Sequence, residues 1–158
     1  MRVGHGIDAH RFAPGRPLML GGVAVPHEAG LEGHSDGDAV SHALCDAVLG
    51  AAGLGDLGRH FPSSDERWRG IAGVELLRQV AGLAREAGFA VVSAHAVAIA
   101  QAPRLAPHTA AMAAAIAAAL GVEPSCVAVS ATSTDGMGFT GRGEGIAASA
   151  VVLLAPIS

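Results

Sequence analysis

Apolar and polar residues alternate at the start of the chain. Over residues 2–10 the odd-numbered positions are largely apolar, and the even-numbered positions are polar or glycine. Because successive side chains of a β-strand leave opposite faces, this pattern predicts a strand. An apolar stretch at residues 18–25, interrupted by glycines and closed by Pro26, predicts a short hairpin or an edge strand.

Three later segments also have the composition of strands. Residues 89–100 carry mostly alanine on one face, which allows another element to pack closely against it. Residues 127–131 and 146–154 follow. The last segment is apolar on both faces, as expected of a central or interface strand.

Three segments have the spacing of helices. Ser35 is predicted to be the N-cap of the first helix, with Asp38 at the reciprocal capping position. The second helix is predicted over residues 71–87, and the third begins with Pro107 at its first position. Residues 53–70 have no periodicity, which indicates a loop that is functional or disordered.

The order of these elements predicts an α/β (α+β) sandwich, with a mixed β-sheet and helices packed on one of its faces. A chain of 158 residues fits one domain, predicted over residues 1–158. Charged residues make up only 15% of the chain, against about 25% in typical domains. Such a chain has little charge to cover its surface, so we expect a substantial protein–protein interface.

The charged residues exclude several classes of function. The net charge of −4 argues against a nucleic-acid-binding module. All ten cationic residues are arginine, and without lysine there is no Schiff-base chemistry, pyridoxal chemistry or phosphate-loop lysine.

Cys45 and Cys126 are too few for a disulfide framework or a thiolate zinc site. The N-terminus has no apolar signal region, and the most apolar stretch, residues 110–120, is about half of a membrane span. We therefore expect a soluble cytoplasmic protein that does not associate with a membrane.

The clearest candidate metal ligands are Asp8, His10 and His42. Asp8 and His10 leave the same face of the predicted strand, and His42 lies on the first helix. Two histidines and one carboxylate form a three-ligand zinc set with an open fourth position. The alternative is a strand-end Asp–His pair with an unrelated helical histidine. Asp38 and Asp46 lie one turn either side of His42, where they either orient its ring or form a solvated carboxylate face.

Other segments could contact phosphates. His34 and Ser35 lie at the predicted helix N-terminus, which favours an anion, although Ser35 could simply cap the helix. The hydroxyls of residues 132–134 with Asp135 suit a diphosphate and Mg²⁺, or form a polar turn. Arg142 offers a planar fork for an anion among glycines. Residues 100–106 could surround a flat ring through their backbone, or merely connect a strand to a helix.

Five strings of the sequence together resemble one known family. They are GHGIDAHRF (4–12), HSDGDAVSHAL (34–44), GDLGRHFPSSD (55–65), AQAPRLAPH (100–108) and GFTGRGEGI (138–146). In order and spacing they resemble the 2-C-methyl-D-erythritol 2,4-cyclodiphosphate synthases of the non-mevalonate isoprenoid pathway, and the likeness runs essentially end to end.

The resemblance implies a homotrimer with active sites between neighbouring subunits. It assigns zinc to Asp8, His10 and His42, and Mg²⁺ or Mn²⁺ to Asp135, where the family often has glutamate. It implies catalytic roles for His34 and Ser133. Arg142 and Glu144 match residues of the trimer's central cavity, where family members are thought to admit an isoprenoid diphosphate.

The resemblance also implies a substrate-binding set spread over five segments of the chain and two further residues, Phe139 and Arg142. Its members are Asp8, Ala9, His10, His34, Ser35, Asp56, Leu57, Gly58, Phe61, Pro62, Ser63, Ser64, Asp65, Ala100, Gln101, Ala102, Pro103, Arg104, Leu105, Ala106, Thr132, Ser133, Thr134, Asp135, Phe139 and Arg142. Residues 34–35 and 56–65 match contacts to the methylerythritol phosphate and its carbon chain. Residues 100–106 match the loop around the cytosine ring, and residues 132–135 match the segment at the diphosphate.

The implied reaction is an intramolecular phosphoryl transfer. The 2-phosphate of 4-diphosphocytidyl-2-C-methyl-D-erythritol 2-phosphate attacks the β-phosphorus, which expels CMP and closes a cyclic diphosphate. Two alternatives remain open at this point. One is a zinc phosphohydrolase that gives a linear product, and the other is a non-catalytic trimeric sensor of a nucleotide or an isoprenoid diphosphate.

Overall fold

The computed structural model describes residues 1–158, which form seven strands and five α-helices. The strands are β1 (Arg2–Ala13), β2 (Leu18–Leu20), β3 (Val23–Val25), β4 (Gly30–Leu31), β5 (Phe89–Ile99), β6 (Val127–Thr132) and β7 (Gly145–Pro156). The helices are α1 (Ala39–Ala52), α2 (Leu57–His60), α3 (Gly73–Glu86), α4 (Thr109–Leu120) and α5 (Gly138–Gly141). Three 3₁₀ turns lie at Glu66–Trp68, Ala106–His108 and Pro124–Cys126.

Five strands form one sheet in the order β4-β1-β7-β5-β6. Only β5 and β6 run parallel, so the sheet is mixed, as predicted. β7 pairs with both β1 and β5 along most of its length. The strand that is apolar on both faces is therefore central, and β2 and β3 form the predicted hairpin beside this sheet.

The helices cover one face of the sheet. α1 lies across β1 and β7, while α4 packs on β6 and α3 packs on α1 and α4. Gly4 and Gly6 of β1 are buried directly beneath α1. A Cβ atom on Gly6 would overlap the carbonyl oxygen of Ala43, so the missing side chains let the helix approach the strand.

The opposite face of the sheet is exposed and carries large apolar side chains beside the polar pairs His5–Ser149 and His95–Ser130. Val3 and Ile7 of β1 are 69% and 65% exposed, and Val151 of β7 is 44% exposed. Met137 and Phe139, from the segment before β7, are exposed as well. We call Val3, Ile7 and Val151 the open sheet face.

Two details of the predicted elements are wrong. α1 begins at Ala39, and its N-cap is Asp38, whose carboxylate accepts the Ser41 amide hydrogen; Ser35 lies in the loop before it. Asp38 caps the helix because its carboxylate also accepts the amides of Gly21 and Gly22, which fixes it at this end. Residues 53–70, predicted to be an irregular loop, contain α2 and a 3₁₀ turn.

The remaining helix predictions agree closely with the structure. The second helix, predicted over residues 71–87, is α3, and the third is α4 with a 3₁₀ turn at Pro107 before it. None of the helices has the length and apolar character needed to cross a membrane.

Candidate metal centre and ligand clefts

Asp8, His10 and His42 meet where β1 passes the first turn of α1. Asp8 and His10 follow Gly4 and Gly6 on the face of β1 that α1 covers, so the close helix–strand approach brings His42 to them. The Asp8 Oδ2 atom is 2.6 Å from His10 Nε2 and 3.2 Å from His42 Nδ1, and the two nitrogens are 3.2 Å apart. The structure therefore brings together all three predicted ligands.

The second nitrogen of each imidazole faces a fixed partner. His10 Nδ1 is 2.6 Å from the Glu32 carbonyl oxygen, and His42 Nε2 is 3.0 Å from Ser35 Oγ. A carbonyl oxygen only accepts, so His10 donates from Nδ1 and its Nε2 is left with a lone pair in the neutral ring. Both rings thus turn one nitrogen toward Asp8 and fix the other, which is the arrangement typical of metal-binding histidines.

The local charges keep Asp8 ionised. Burial alone would raise the pKa of Asp8, but hydrogen bonds and charge interactions with His10 and His42 outweigh burial and lower it to about 2. For His10, burial would lower the pKa, but the hydrogen bond and charge of Asp8 raise it above the ordinary 6.5. Asp8 is therefore an anionic donor over the whole physiological pH range.

This donor set fits a divalent metal ion. One carboxylate and two imidazoles, with ligand atoms within 4.8 Å of one another, match the three protein ligands of catalytic zinc sites. Two of the three side chains line a cleft, which leaves an open direction for a fourth ligand. The second-nitrogen partners of both histidines complete the fit, because they fix the ring orientations before any metal binds.

The metal-centre cleft lies beside this cluster and includes part of the predicted substrate segment. Its lining residues are His10, His34, Ser35, His42, Leu57, Gly58, Phe61, Ser63, Trp68, Ile71 and Leu76. The sequence analysis missed Trp68, Ile71 and Leu76. Trp68 is the only tryptophan of the chain and contacts Phe61 edge to face, with ring centroids 4.9 Å apart.

Four predicted residues of the 56–65 segment do not line this cleft: Asp56, Pro62, Ser64 and Asp65. Asp56 caps α2 by accepting the amide of Arg59, and Asp65 pairs with Arg67. The Asp65 carbonyl oxygen nevertheless lies 3.0 Å from His34 Nε2. His34 therefore holds the backbone of this segment against the metal-centre cleft.

Asp38 and Asp46 have neither of their two predicted roles. They do not orient the ring of His42, and they do not form a solvated carboxylate face. Asp38 is fully buried and binds backbone amides and the Ser41 hydroxyl, not the ring of His42. Asp46 accepts the Leu57 amide at 2.7 Å, which positions the start of α2 at the cleft. Both carboxylates therefore hold backbone segments in place. The residue that contacts the outer nitrogen of His42 is Ser35.

A second cleft, the loop cleft, lies at the end of β5 and β6. Its lining residues are Ala100, Gln101, Pro103, Arg104, Leu105, Ala106, Ala131, Thr132 and Ser133. The predicted loop 100–106 and the hydroxyl segment 132–133 thus come together. Asp135 lies beside this cleft with its amide 3.3 Å from Ser133 Oγ, and its φ of 53° is the only positive φ at a residue other than glycine.

The predicted central-cavity residues lie near the end of β7. Arg142 and Glu144 form an ion pair, with Nη2 and Oε2 2.8 Å apart. Arg142 lines a cleft with Gln101 and Ala102, and Phe139 lines another with Ala9 and Glu144. The side chains of Arg142 and Glu144 are exposed.

Within one chain the metal-centre cleft and the loop cleft have no lining residue in common. Ser133 and Asp135 are therefore not part of the cluster formed by Asp8, His10 and His42. The spacing of the motifs along the chain does not predict that the two clefts are separate, because each motif is identified from local sequence alone.

Known proteins resemble this chain over nearly its whole length. The model of the YgbB family matches residues 1–155. A 2-C-methyl-D-erythritol 2,4-cyclodiphosphate synthase from Alkalilimnicola ehrlichii is 59% identical over 98% of this chain and 95% of that protein. The synthase from Symbiobacterium thermophilum is 53% identical over 98% of this chain and 99% of that protein.

Solved structures agree with this relationship. The bifunctional IspDF from Campylobacter jejuni has a TM-score of 0.95 and 40% identity over 99% of this chain, which spans 42% of that longer chain. A 2C-methyl-D-erythritol-2,4-cyclodiphosphate synthase in a CDP-bound form has a TM-score of 0.88 and 37% identity, over 98% of this chain and all of that one. The chain therefore belongs to the YgbB family, the family of these cyclodiphosphate synthases.

Proposed function

We propose that this chain converts 4-diphosphocytidyl-2-C-methyl-D-erythritol 2-phosphate to 2-C-methyl-D-erythritol 2,4-cyclodiphosphate and CMP, a phosphorus–oxygen lyase reaction of isoprenoid precursor synthesis. The observation that carries this proposal is the cluster of Asp8, His10 and His42 at the metal-centre cleft, in a chain of the YgbB family. The site residues, the metals and the assembly below belong to the proposal.

The reaction is a substitution at phosphorus within one molecule. An oxygen of the 2-phosphate forms a bond to the β-phosphorus, the bond from that phosphorus to the CMP oxygen breaks, and CMP leaves with the electron pair. A phosphate monoester with a second pKa near 6 is largely dianionic at neutral pH, so the nucleophile needs no strong protein base. Catalysis then depends on positioning and on neutralising charge.

Asp8, His10 and His42 would hold zinc against the β-phosphate. When bound there, zinc supplies a Lewis acid and a template for the reacting oxygens. Asp135 would carry Mg²⁺ or Mn²⁺ at the α- and β-phosphates, with Thr132 to Thr134 offering hydroxyls beside it. Carboxylate and hydroxyl oxygens are the ligand types that these hard cations prefer.

His34 and Ser133 are the proposed hydrogen-bond donors to the developing charge. Ser133 is exposed at the rim of the loop cleft, and its hydroxyl would exchange its 3.4 Å contact with Asp135 Oδ1 for a hydrogen bond to a phosphate. His34 donates from Nε2 to the Asp65 carbonyl oxygen, so a second donation, from Nδ1, requires the doubly protonated ring. The 56–65 segment, through Leu57, Gly58, Phe61 and Ser63, would surround the carbon chain.

The loop cleft is the proposed cytosine site. Residues 100–106 leave β5 with a single charged side chain, Arg104, and their backbone groups can read the edge of a flat ring. A solved relative at 37% identity is in a CDP-bound form, which supports a cytidine nucleotide as the ligand. Asp56, Pro62, Ser64, Asp65 and Ala9 remain proposed contacts that depend on a bound substrate.

We further propose a homotrimer with each active site shared by two subunits. The open sheet face supports it, because large exposed apolar patches usually mark interaction surfaces. The separation of the metal-centre cleft from the loop cleft also supports it, since a neighbouring chain would supply the missing half. Phe139, Arg142 and Glu144 would then surround the central axis, where the proposed ligand is an isoprenoid diphosphate.

The protein is proposed to act as one domain in the cytoplasm. Thirty-five buried residues from Leu18 to Leu154 form one core, which supports a single domain over residues 1–158. Cys45 and Cys126 are both free thiols, which is compatible with a reducing compartment.

The test compares CMP release by the wild-type protein and by His42→Ala, with zinc content measured on the same samples. We expect the variant to lose bound zinc and at least a hundredfold of its turnover, since outer-shell changes alone cost ten- to a hundredfold. His108→Ala is the matched control, because His108 lines none of the clefts. Full turnover and full zinc content in His42→Ala would refute the assignment.

A further inference from the structure

Arg16 lies in the turn between β1 and β2 and lines none of the clefts. Its partly buried guanidinium forms no ion pair with an acidic side chain. Instead, Nη1 donates to the Gly33 carbonyl oxygen at 2.8 Å and Nη2 donates to the Ser35 carbonyl oxygen at 2.5 Å. The guanidinium therefore donates only to the backbone of one short segment, residues 33–35.

The two carbonyls lie on either side of His34. Because the guanidinium is planar and rigid, its two N–H groups fix the peptide plane that precedes His34, through the Gly33 carbonyl, and the peptide plane that follows Ser35, through the Ser35 carbonyl. The carbonyl of His34 itself accepts the Gly70 amide at 2.8 Å. All three carbonyls of the 33–35 segment are therefore occupied, two of them by Arg16.

The same segment reaches the metal ligands. Ser35 Oγ is 3.0 Å from His42 Nε2, and His42 Nδ1 is the atom that faces Asp8. If the Ser35 backbone moved, its hydroxyl would leave the outer nitrogen of His42. The arginine is thus connected to the metal-binding atom through one backbone carbonyl, one serine hydroxyl and one imidazole ring.

We propose that Arg16 is a positioning residue for the active site, which holds His34 toward the substrate and Ser35 against His42 through its two carbonyl contacts. The part of this inference that concerns turnover rests on the proposed function. The part that concerns the metal ligands does not, because it needs only the contacts among Arg16, Ser35 and His42.

The structure offers a matched control for this role. Arg85 is an exposed residue whose guanidinium also donates to a backbone carbonyl, that of Leu120 at the end of α4, at 2.9 Å in a partly buried contact. It lies outside every cleft. Arg85→Ala removes the same kind of hydrogen bond and leaves residues 33–35 unchanged. It therefore measures the effect of losing an arginine–carbonyl hydrogen bond alone.

The experiment compares Arg16→Ala, Arg16→Lys and Arg85→Ala. Zinc affinity is measured by competition with a chelator, CMP affinity by calorimetry, and turnover by CMP release. For Arg16→Ala we expect zinc affinity to fall about tenfold, the lower end of outer-shell effects, and kcat to fall at least tenfold. CMP affinity should stay within twofold of the wild-type value, because the proposed cytosine site is the separate loop cleft.

Two further arms separate geometry from charge and from stability. Arg16→Lys keeps the charge but lacks the fork, so we expect it to resemble Arg16→Ala. Added guanidinium ions should restore part of the lost turnover of Arg16→Ala and should not stimulate the wild-type protein. Arg85→Ala should keep wild-type zinc affinity and kcat, whatever happens to its thermal stability.

Three results would overturn the inference: wild-type zinc affinity and kcat in Arg16→Ala, wild-type behaviour of Arg16→Lys, or equal losses in Arg85→Ala. If Arg16→Ala does not fold, Arg16→Lys takes its place. Lower zinc affinity in Arg16→Lys than in Arg85→Ala would then support the proposal, and equal zinc affinity in the two variants would overturn it. If the wild-type protein forms no CMP, the proposed function fails, while the zinc-affinity measurements still decide the role of Arg16.

Discussion

His10 is the residue whose ionisation changes most directly with the state of the metal centre. Its Nε2 atom faces Asp8, and the hydrogen bond and charge of Asp8 raise the pKa of His10 above 6.5 although burial opposes this. A proton and a metal ion compete for the same nitrogen lone pair. The metal-free and metal-bound proteins should therefore respond to pH in opposite directions.

For the metal-free protein, we expect stability to fall as pH rises. The raised pKa of His10 means that its pairing with Asp8 is fully present below the unfolded-state pKa near 6.5 and is lost as pH rises through the folded-state value. The measurement is the difference in Tm between pH 6.0 and pH 8.5 in the presence of a chelator. Asp8→Asn is the control, since it lacks the ion pair and should have the smaller decrease.

Zinc affinity should change with pH in the opposite direction to the stability of the metal-free protein. Zinc must displace the proton of His10, so zinc affinity should rise as pH increases from 6 to 8, with net proton release on binding. Calorimetry in two buffers of different ionisation enthalpy measures that release. Zinc affinity independent of pH over this range would contradict the placement of His10 Nε2 as a ligand.

Ser35 is the residue whose role differs most from its predicted one. The sequence indicated a helix cap, but the structure shows its hydroxyl 3.0 Å from His42 Nε2. We expect Ser35→Ala to lower zinc affinity about tenfold, as outer-shell substitutions do. Thr109→Ala is the control, because it removes a hydroxyl from the distant start of α4. Unchanged zinc affinity in Ser35→Ala would show that His42 needs no outer partner.

At the scale of elements, the contact between β1 and α1 builds the candidate metal centre. Gly4 and Gly6 remove side chains from the face of β1 beneath α1, and Asp8 and His10 continue that face to His42. Glycine within a strand often marks such close backbone approach. The spacing of the ligands along the chain is meaningful only because this approach is close.

We expect Gly6→Ala to damage both stability and metal binding. Its new methyl group would overlap the backbone of Ala43, and overpacking of this kind costs about 1–3 kcal/mol. The measurements are the free energy of unfolding in urea and the zinc affinity. Gly50→Ala, on α1 with open space around its Cβ position, should instead stabilise by about 0.5–1 kcal/mol. Equal stability of the two variants would contradict the role of close packing.

Most elements could be predicted from sequence, because their periods of two and 3.6 residues reflect one buried face. β7 could be predicted as central, since it is apolar on both faces and pairs on both edges. The start of α1 could not, because Asp38 is fixed there by the amides of Gly21 and Gly22, some 16 residues earlier in the chain. Tertiary hydrogen bonds of this kind leave no local pattern.

The candidate site also contains some residues that could be predicted from the sequence and others that could not. Residue type and element predicted Asp8, His10 and His42 as candidate ligands, and the structure brings their side chains together. Trp68 and Leu76 could not be predicted, since an apolar residue that lines a cleft has the same sequence pattern as one in the core. The contacts of Arg16 to the 33–35 backbone could not be predicted either, because carbonyl acceptors carry no sequence signal.

For the whole molecule, the open sheet face is the feature that the single chain leaves without a partner. Val3 and Ile7 expose more than half of their surface on a sheet whose other face is packed against helices. In the proposed homotrimer, burial of this patch between identical chains accompanies the joining of the metal-centre cleft of one subunit to the loop cleft of the next. Assembly and activity are therefore expected to be lost together.

We expect light scattering of the wild-type protein to give three times the chain mass of 15.6 kDa. Ile7→Glu would place a carboxylate in each buried interface, so it should give monomers and at least a hundredfold lower turnover. Ala118→Glu, at an exposed position of α4 on the helix side, should keep the wild-type mass and activity. A monomeric wild-type protein with full activity would contradict the shared active site.

The central claim is that this metal centre closes a ring and releases CMP. Phosphorus NMR of the protein with the diphosphocytidyl substrate and Mg²⁺ follows both products, before and after a zinc-selective chelator. We predict equimolar CMP and cyclic diphosphate, lost with the chelator and restored by added zinc. A linear diphosphate would make the protein a phosphohydrolase, and substrate binding without CMP release would make it a sensor; either result would contradict the account.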